Sequence, residues 1–480
     1  VTLNGTVCDM LIRDGKIQKI GNIREPADQV IWADGLTALP GLFDMHVHFR
    51  DPGLTYKEDI HTGAAAALAG GVTGVACMPN TKPPIDSPET VQYILEQAAD
   101  TGVKVYPVGC ITQSMQGKAL CEYDALIHAG VRAISDDGRP VESDRLLREA
   151  MEESIRNGLL IISHCEDLKI INGGIMHKGK ISEQLGVKGM DRASEDSITA
   201  REIRLAEETG SRIHIAHVST AGSVELIRQA KARGVKVTCE TCPHYFLLTE
   251  EKLLTRDADF RMNPPLREET DRLAVERGVC DGTIDCIVTD HAPHSAEEKA
   301  DFETAPNGVV GLETSLAAAL TGLYHTGKLT LADIVRLMAE TPRKLLGLPV
   351  PRLHEGADAE LILVDLNESW TVDPDKLHSK SHNTVFKGMT LRGRVPTPDG
   401  EKIFTPDNPP TDERFEGAAE MMQYRTEFAE DGVLNTLMFV PVAKLTAKEL
   451  SAFLLHLKKN GRLDGKGGLS AKTVRDLAVL

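Results

Sequence analysis

The chain has 480 residues, enough for one large core or for two or three domains. Hydrophobic residues make up 41% of it and charged residues 26%, as in ordinary globular proteins. The net charge of −17 argues against a nucleic-acid or anionic-membrane surface, while leaving room for a local cationic pocket. No apolar run is long enough to span a bilayer, so no membrane association is expected. The opening VTLNGTVCDM lacks the basic and apolar regions of a signal peptide, and Val1 stands where a native start would carry Met. Nine cysteines without a framework fit a reduced, cytoplasmic protein.

Residues 1–40 contain two short strand-like runs around Asp14-Gly15-Lys16, a hairpin turn signal. Pro40-Gly41 turns the chain into the next segment, 41–348, where short β-like runs alternate with amphipathic helices. The candidate strands are Phe43–His48, Val72–Met78, Val103–Cys110, Val131–Ser135, Leu159–His164, Ile213–Val218, Val235–Glu240 and Cys286–Thr289. Helices are expected at 196–208, 220–233 and 331–346. Eight βα units in series predict an α/β fold, a (β/α)8 TIM-like barrel. Residues 349–396 return to β character, with Leu361–Val364 and a hairpin over Val385–Val395, and are expected to join 1–40 in a small composite β-sandwich. Residues 397–444 read as a linker, Pro- and acid-rich at first, and 445–480 as a helical tail.

In such a barrel, functional side chains sit at the C-terminal strand ends. In chain order these ends carry His46 and His48, Asn80, Asp136-Asp137, His164, His217, Asn263 and Asp290. His46-Val47-His48 places two imidazoles on one strand face. Four histidines and two aspartates at one mouth suffice for two zinc-like ions sharing a bridging ligand. Cys239-Glu240-Thr241-Cys242, with His244 nearby, is a lone CxxC and reads as buried thiols.

Seven ordered motifs carry a resemblance: FDMHVHFRDPG (43–53), MPNTKPPID (78–86), SDDG (135–138), SHCED (163–167), AHVST (216–220), NPPLR (263–267) and TDHAPH (289–294). Over residues 1–395 the chain resembles the cyclic amidohydrolases, specifically class I dihydroorotases. The resemblance implies a metal-dependent hydrolase barrel that reversibly hydrolyses the ring amide of dihydroorotate to N-carbamoyl-L-aspartate in pyrimidine synthesis. It implies a first ion, expected to be zinc, on His46, His48 and Asp290, and a second on His164 and His217. Asp137 would bridge them, with Asp136 the fallback, and Asp290 would also be the catalytic proton carrier.

Arg50, Asn80, Asn263 and His294 match substrate-binding positions, and backbone groups near Asn307 and Gly308 would touch the substrate ring. The competing reading of Arg50 is a salt-bridged strand-end arginine; for Asn80 and Asn263 it is turn chemistry, and for His294 a structural role. The loop 295–310 reads as a lid or a plain surface loop. Hydantoinases and allantoinases bridge their metals with a carbamylated lysine near the fourth strand, and this chain has no lysine between Lys118 and Lys169. A hydantoinase-type amidohydrolase and a catalytically dead scaffold are the alternatives. A homodimer or a complex with aspartate transcarbamoylase are the assemblies left open. Residues 445–480 resemble the core-binding region of phage-type tyrosine recombinases, without a catalytic region.

Overall fold

The structure is a computed structural model that describes residues 1–396 except 26, 29 and 32, together with the backbone of 403–404, 422–428 and 434–441. All eight expected barrel strands form: Leu42–Val47, Val72–Cys77, Lys104–Pro107 continuing as Gly109–Cys110, Ala133–Ser135, Leu160–Ser163, Ile213–Ile215, Val237–Thr241 and Cys286–Ile287. Each pairs in parallel with the next, from Leu42 opposite Val72 to Glu240 opposite Cys286. The ring closes through a parallel bridge between Val47 and His291, where the His48 N–H donates to the His291 carbonyl at 2.8 Å. Asp44 strengthens that seam: its carboxylate accepts from the backbone N–H of His46 and of Thr289, both at 3.0 Å.

The strands read as continuous apolar runs because both faces are covered, and all six residues of Leu42–Val47 are buried. The outer helices carry local start and stop signals. Ile60–Ala69 opens with a capping box between Asp59 and Thr62. Asp144–Asn157 begins on Ser143 and ends at Gly158, whose φ of 69° suits only glycine without strain. The expected helices appear as Ala193–Thr209 and Ala221–Ala232. The expected run 331–346 forms as Leu331–Val335, a π turn over Arg336–Glu340 and Thr341–Leu345, with the widened turn just ahead of Pro342.

One compact unit holds Val1–Cys8, Ile12–Lys19 and Gly35–Pro396, and with it the barrel and every candidate site residue. It also contains a five-stranded sheet in the order Thr390–Arg394, Leu361–Thr371, Thr37–Pro40, Thr2–Leu3, Thr6–Val7. The turn expected at Asp14-Gly15 has φ of 52° and 72°, the two positive values that a tight hairpin turn needs. Val385–Val395 is not the expected hairpin. Only Thr390–Arg394 is a strand, pairing with Leu361–Thr371. Thr384, Val385 and Phe386 are instead buried, and Gly388 at φ 72° turns the chain.

The second unit holds Asp9–Leu11, Ile20–Asp34 and Thr397–Leu480. Residues 20–34 therefore leave the expected composite domain, because Val30–Ile31 pairs antiparallel with Ile403–Phe404. Within the span 397–444, expected as linker, Met422–Phe428 and Leu434–Pro441 form an antiparallel hairpin. The alternation in MQYRTEF and LNTLMFVP, and the Asp431-Gly432 pair between them, were the available signals. The helical tail expected at 445–480 lies outside the described residues. Among the described residues, no helix is long and apolar enough to cross a membrane.

Candidate functional site

The barrel mouth gathers the six expected metal-type residues around Asp137. On one side, His46 Nε2 lies 3.5 Å from Asp137 Oδ1 and His48 Nε2 3.6 Å from Oδ2. Asp290 Oδ1 closes this side at 3.1 Å from His48 Nε2 and 3.6 Å from His46 Nε2. On the other side, His164 Nδ1 and His217 Nε2 lie 3.4 Å and 3.8 Å from Asp137 Oδ1 and 2.8 Å from each other. Two groups could each hold an ion, His46–His48–Asp137 and Asp137–His164–His217, with Asp137 common to both.

Unsatisfied atoms support that fit. Among the described residues, His46 Nε2 and Asp137 Oδ1 are buried without a hydrogen-bond partner. Each orphaned group costs about 1–3 kcal/mol unless something binds it, and a divalent cation satisfies both at once. Imidazole and carboxylate donors in this geometry suit a zinc-type ion. Asp136 points elsewhere, accepting from the N–H groups of Ile111 and Thr112 at 2.9 and 3.1 Å and from the Thr112 hydroxyl.

Charge is tightly coupled here. Burial would raise the Asp137 carboxyl, but the surrounding imidazoles of His164, His217 and His46 hold it well below the usual carboxylate range. Burial opposes protonation of His164, yet Asp137 and Glu166 lift it to about 10. Against burial, His48 draws Asp290 down to about 2. Metal binding to imidazoles so placed displaces protons from them. Three of the mouth residues, Arg50, His217 and Asp290, have φ of 61°, 34° and 48°, left-handed values that non-glycine residues rarely adopt. Strain of this kind, of order 1–3 kcal/mol per residue, collects at functional sites.

The expected substrate residues divide. Arg50 is buried at the mouth and donates from Nε to the Pro293 carbonyl at 3.2 Å. Among the described residues no carboxylate lies within salt-bridge distance of it, which removes the strand-end ion pair as its explanation. Asn80 Oδ1 lies 2.8 Å from His48 Nδ1, and Asn263 donates to Glu166 Oε1 at 2.6 Å.

His294 is engaged at both ring nitrogens. Lys57 Nζ approaches Nδ1 at 3.1 Å, and Nε2 lies 2.9 Å from the Asn307 carbonyl. Burial, with Arg50 and Lys57 nearby, lowers its pKa to about 3. The neutral ring then carries its proton on Nε2 and donates to Asn307, which leaves it no second donor for a ligand. Gly308 spends its N–H on the Arg261 carbonyl at 3.0 Å, and its own carbonyl accepts from Asn383 at 2.9 Å. Its φ of 151° and the Ala292 carbonyl 2.6 Å from where a Cβ would stand require glycine.

Several partners escaped the sequence reading. Glu166, two residues past His164 in the quoted SHCED motif, reaches His164 Nε2 at 3.2 Å. Its i, i+2 spacing was a usable signal. Glu240 lies 2.5 Å from His46 Nδ1, and the CxxC pattern drew attention to its flanking thiols instead. Those thiols, Cys239 and Cys242, are buried and pushed up by burial. Lys57 and Tyr56 both meet Glu298, at 2.9 and 3.0 Å, and Lys299 Nζ donates to the carbonyls of Ala258, Arg261 and Pro306 at 2.9–3.0 Å. No local pattern marks these contacts.

A family model described as dihydro-orotase-like matches residues 35–223. The dihydroorotase of Acetivibrio thermocellus is 49% identical over 392 residues, covering 81% of this chain and 92% of that protein. The dihydroorotase of Citrifermentans bemidjiense is 49% identical over 391 residues, with the same coverage of 81% and 92%. Among solved structures, L-hydantoinase (dihydropyrimidinase) from Arthrobacter aurescens superposes with a TM-score of 0.72 at 29% identity, over 81% of this chain and 90% of that one. With its eight-stranded barrel and its mouth of four histidines and two aspartates, this chain belongs to the dihydroorotase family.

Proposed function

We propose that this protein is a dihydroorotase, opening the ring amide of dihydroorotate to N-carbamoyl-L-aspartate and closing it again. The observation that carries the reading is Arg50, a buried guanidinium beside the His–Asp cluster with no carboxylate partner of its own among the described residues. A cyclic amide bearing a carboxylate would supply that partner, and the planar fork of arginine suits it.

In this reading His46, His48 and Asp290 would hold one divalent ion, His164 and His217 would hold a second, and Asp137 would serve both, zinc being the expected metal. Bound there, the ions would polarise the amide carbonyl and make water a nucleophile near neutral pH. The protein's own groups do the rest. Arg50 fixes the substrate carboxylate, so that the ring amide faces the cluster. Asp290 takes the proton of the attacking water on a carboxylate oxygen and returns it to the departing ring nitrogen as the C–N bond breaks. Asn80 and Glu166 fix the rings of His48 and His164 from behind. The Lys57–Glu298 pair and the His294–Asn307 contact hold the 295–308 segment against the mouth, which limits water.

The L-hydantoinase likeness motivates one competing reading, a hydantoinase. The buried Arg50, with no carboxylate partner among the described residues, favours a carboxylated substrate over an uncharged one. The test is metal-loaded protein assayed against dihydroorotate, hydantoin, dihydrouracil and allantoin, with metal content counted per chain. Turnover of dihydroorotate with about two ions per chain is expected. Preference for the uncharged rings, or no bound metal, would overturn the reading.

A further inference from the structure

We propose that Glu240, from the seventh barrel strand, is a positioning residue that fixes the ring of His46 and selects which of its nitrogens faces the metal centre. The inference rests on the metal-site reading above. Glu240, His46 and His214 are all fully buried. One Glu240 oxygen lies 2.5 Å from His46 Nδ1, and the other lies 3.1 Å from His214 Nε2. His214 Nδ1 in turn lies 2.8 Å from the Thr238 hydroxyl. The chain of contacts runs Thr238, His214, Glu240, His46 and stops at His46 Nε2, a buried atom with no hydrogen-bond partner among the described residues.

A neutral imidazole carries one N–H. A carboxylate at Nδ1 only accepts, so it demands that proton there and leaves the Nε2 lone pair facing Asp137 and Asp290. Without Glu240 the ring is free to take the other tautomer, which would donate to Asp137 and present a hydrogen where a cation belongs. His48 is oriented in the same sense by Asn80, a neutral amide. A carboxylate also raises the basicity of the ring it accepts from, so His46 becomes the stronger donor of the two.

His214, Glu240 and Cys286 also lie close enough together to suggest a third metal site. The contacts argue otherwise. Both Glu240 oxygens and both His214 nitrogens are already matched, and the Cys286 sulfur faces Met45 Sδ at 3.7 Å. The cluster is a closed brace behind His46.

The test measures zinc affinity by chelator competition in a His217→Ala background, which keeps only the His46–His48–Asp290 ion. There Glu240→Gln is expected to weaken zinc about 10- to 100-fold, the usual effect of losing such a partner. In protein carrying 15N-histidine, a strongly downfield imidazole N–H resonance should be present and should vanish in Glu240→Gln and in His46→Gln. If Glu240→Gln folds poorly, Glu240→Asp keeps the buried charge but withdraws it from His46, and should show the same loss of affinity. Zinc affinity within threefold of the parent in the variants would overturn the proposal. So would equal weakening of the His164–His217 ion, measured in a His48→Ala background, since Glu240 would then only brace the barrel. Failure of the unmutated protein to bind zinc would instead refute the metal reading, while the downfield resonance would still report whether Glu240 holds His46.

Discussion

Replacing Arg50 by methionine separates substrate recognition from scaffolding. Methionine fills much of the same space and keeps the left-handed backbone at φ 61° no more strained than arginine does. The structural loss is limited to the Nε bond to the Pro293 carbonyl, worth about 0.5–1.5 kcal/mol of stability, and a long Nη2 contact with His294 Nε2 at 3.4 Å. The functional loss is larger. A buried charge pair broken on one side costs about 2–5 kcal/mol. At about 1.4 kcal/mol per tenfold, kcat/KM for dihydroorotate should fall by about 30-fold to several thousand-fold. Residual hydrolysis of uncharged dihydrouracil or hydantoin should stay within a few-fold, since those rings carry no carboxylate to pair with the guanidinium. The assay follows both substrates on metal-loaded protein of verified metal content. Arg50→Lys should recover only part of the loss, because a point charge replaces a fork. Equal losses on charged and uncharged rings would refute the reasoning and make Arg50 a structural residue.

The other expectations address the metal centre, the mouth segment and the C-terminal region. His164→Ala should halve the metal content and remove most turnover, whereas Asp136→Ala should leave metal content intact and lower Tm, since three donors lose their acceptor at about 1–3 kcal/mol each; metal loss in Asp136→Ala would reverse the assignment. Hydrogen bonds from Lys57 and Tyr56, against burial, pull Glu298 from its ordinary 4.5 to about 2. A depressed carboxyl stabilises the folded state above its unfolded pKa and loses that contribution as pH falls through the folded one. Hydrogen exchange of 295–310 should therefore be faster in Glu298→Gln than in the parent above about pH 5, with the gap closing between 4.5 and about 2; a gap that persists at pH 2 would show that charge is not what holds the segment. Deleting 405–480 keeps the Ile403–Phe404 strand and every candidate site residue, so Tm and dihydroorotase activity should both survive, and collapse of either would mean that the C-terminal region has been recruited into the fold.

The barrel was legible because each strand is a short apolar run closed by glycine, proline or a cap, and because parallel strands buried on both faces cannot hide their composition. The six metal-type residues were legible for a related reason. Each sits at a strand end, so position along the chain translates directly into position around the mouth. The choice between Asp136 and Asp137 was not open to periodicity, since adjacent residues differ only in which way the turn throws them; the family motif had to supply it. The left-handed turns at Arg50, His217 and Asp290 were equally hidden, because none of these residues is a glycine that would announce positive φ. The hairpin expected over Val385–Val395 gives way to the single strand Thr390–Arg394 for a tertiary reason. Val385 and Phe386 look like strand residues in sequence but are buried beside Asn383, which donates to the carbonyls of Ala292 and Gly308.

That last contact shows how the mouth is assembled from distant parts of the chain. Asn383 ties the turn after the eighth strand to Gly308. Glu58, fully buried, accepts from Ser379, the Lys380 N–H and Thr62, and meets His291 at 3.3 Å. His291 Nδ1 in turn accepts from the Gly311 N–H at 3.2 Å. A buried carboxylate with that many partners is expensive to disturb, since each lost partner leaves a polar group unsatisfied. His291 is the neighbour of Asp290, so this network bears on the residue proposed to carry the proton. Position along a strand places the metal-type residues, while the precision of Asp290 depends on contacts between residues more than 200 positions apart, such as Glu58 with His291 at a separation of 233. Sequence spacing carries no trace of such contacts, which is why the metal-type residues could be read from the chain and these long-range supports could not.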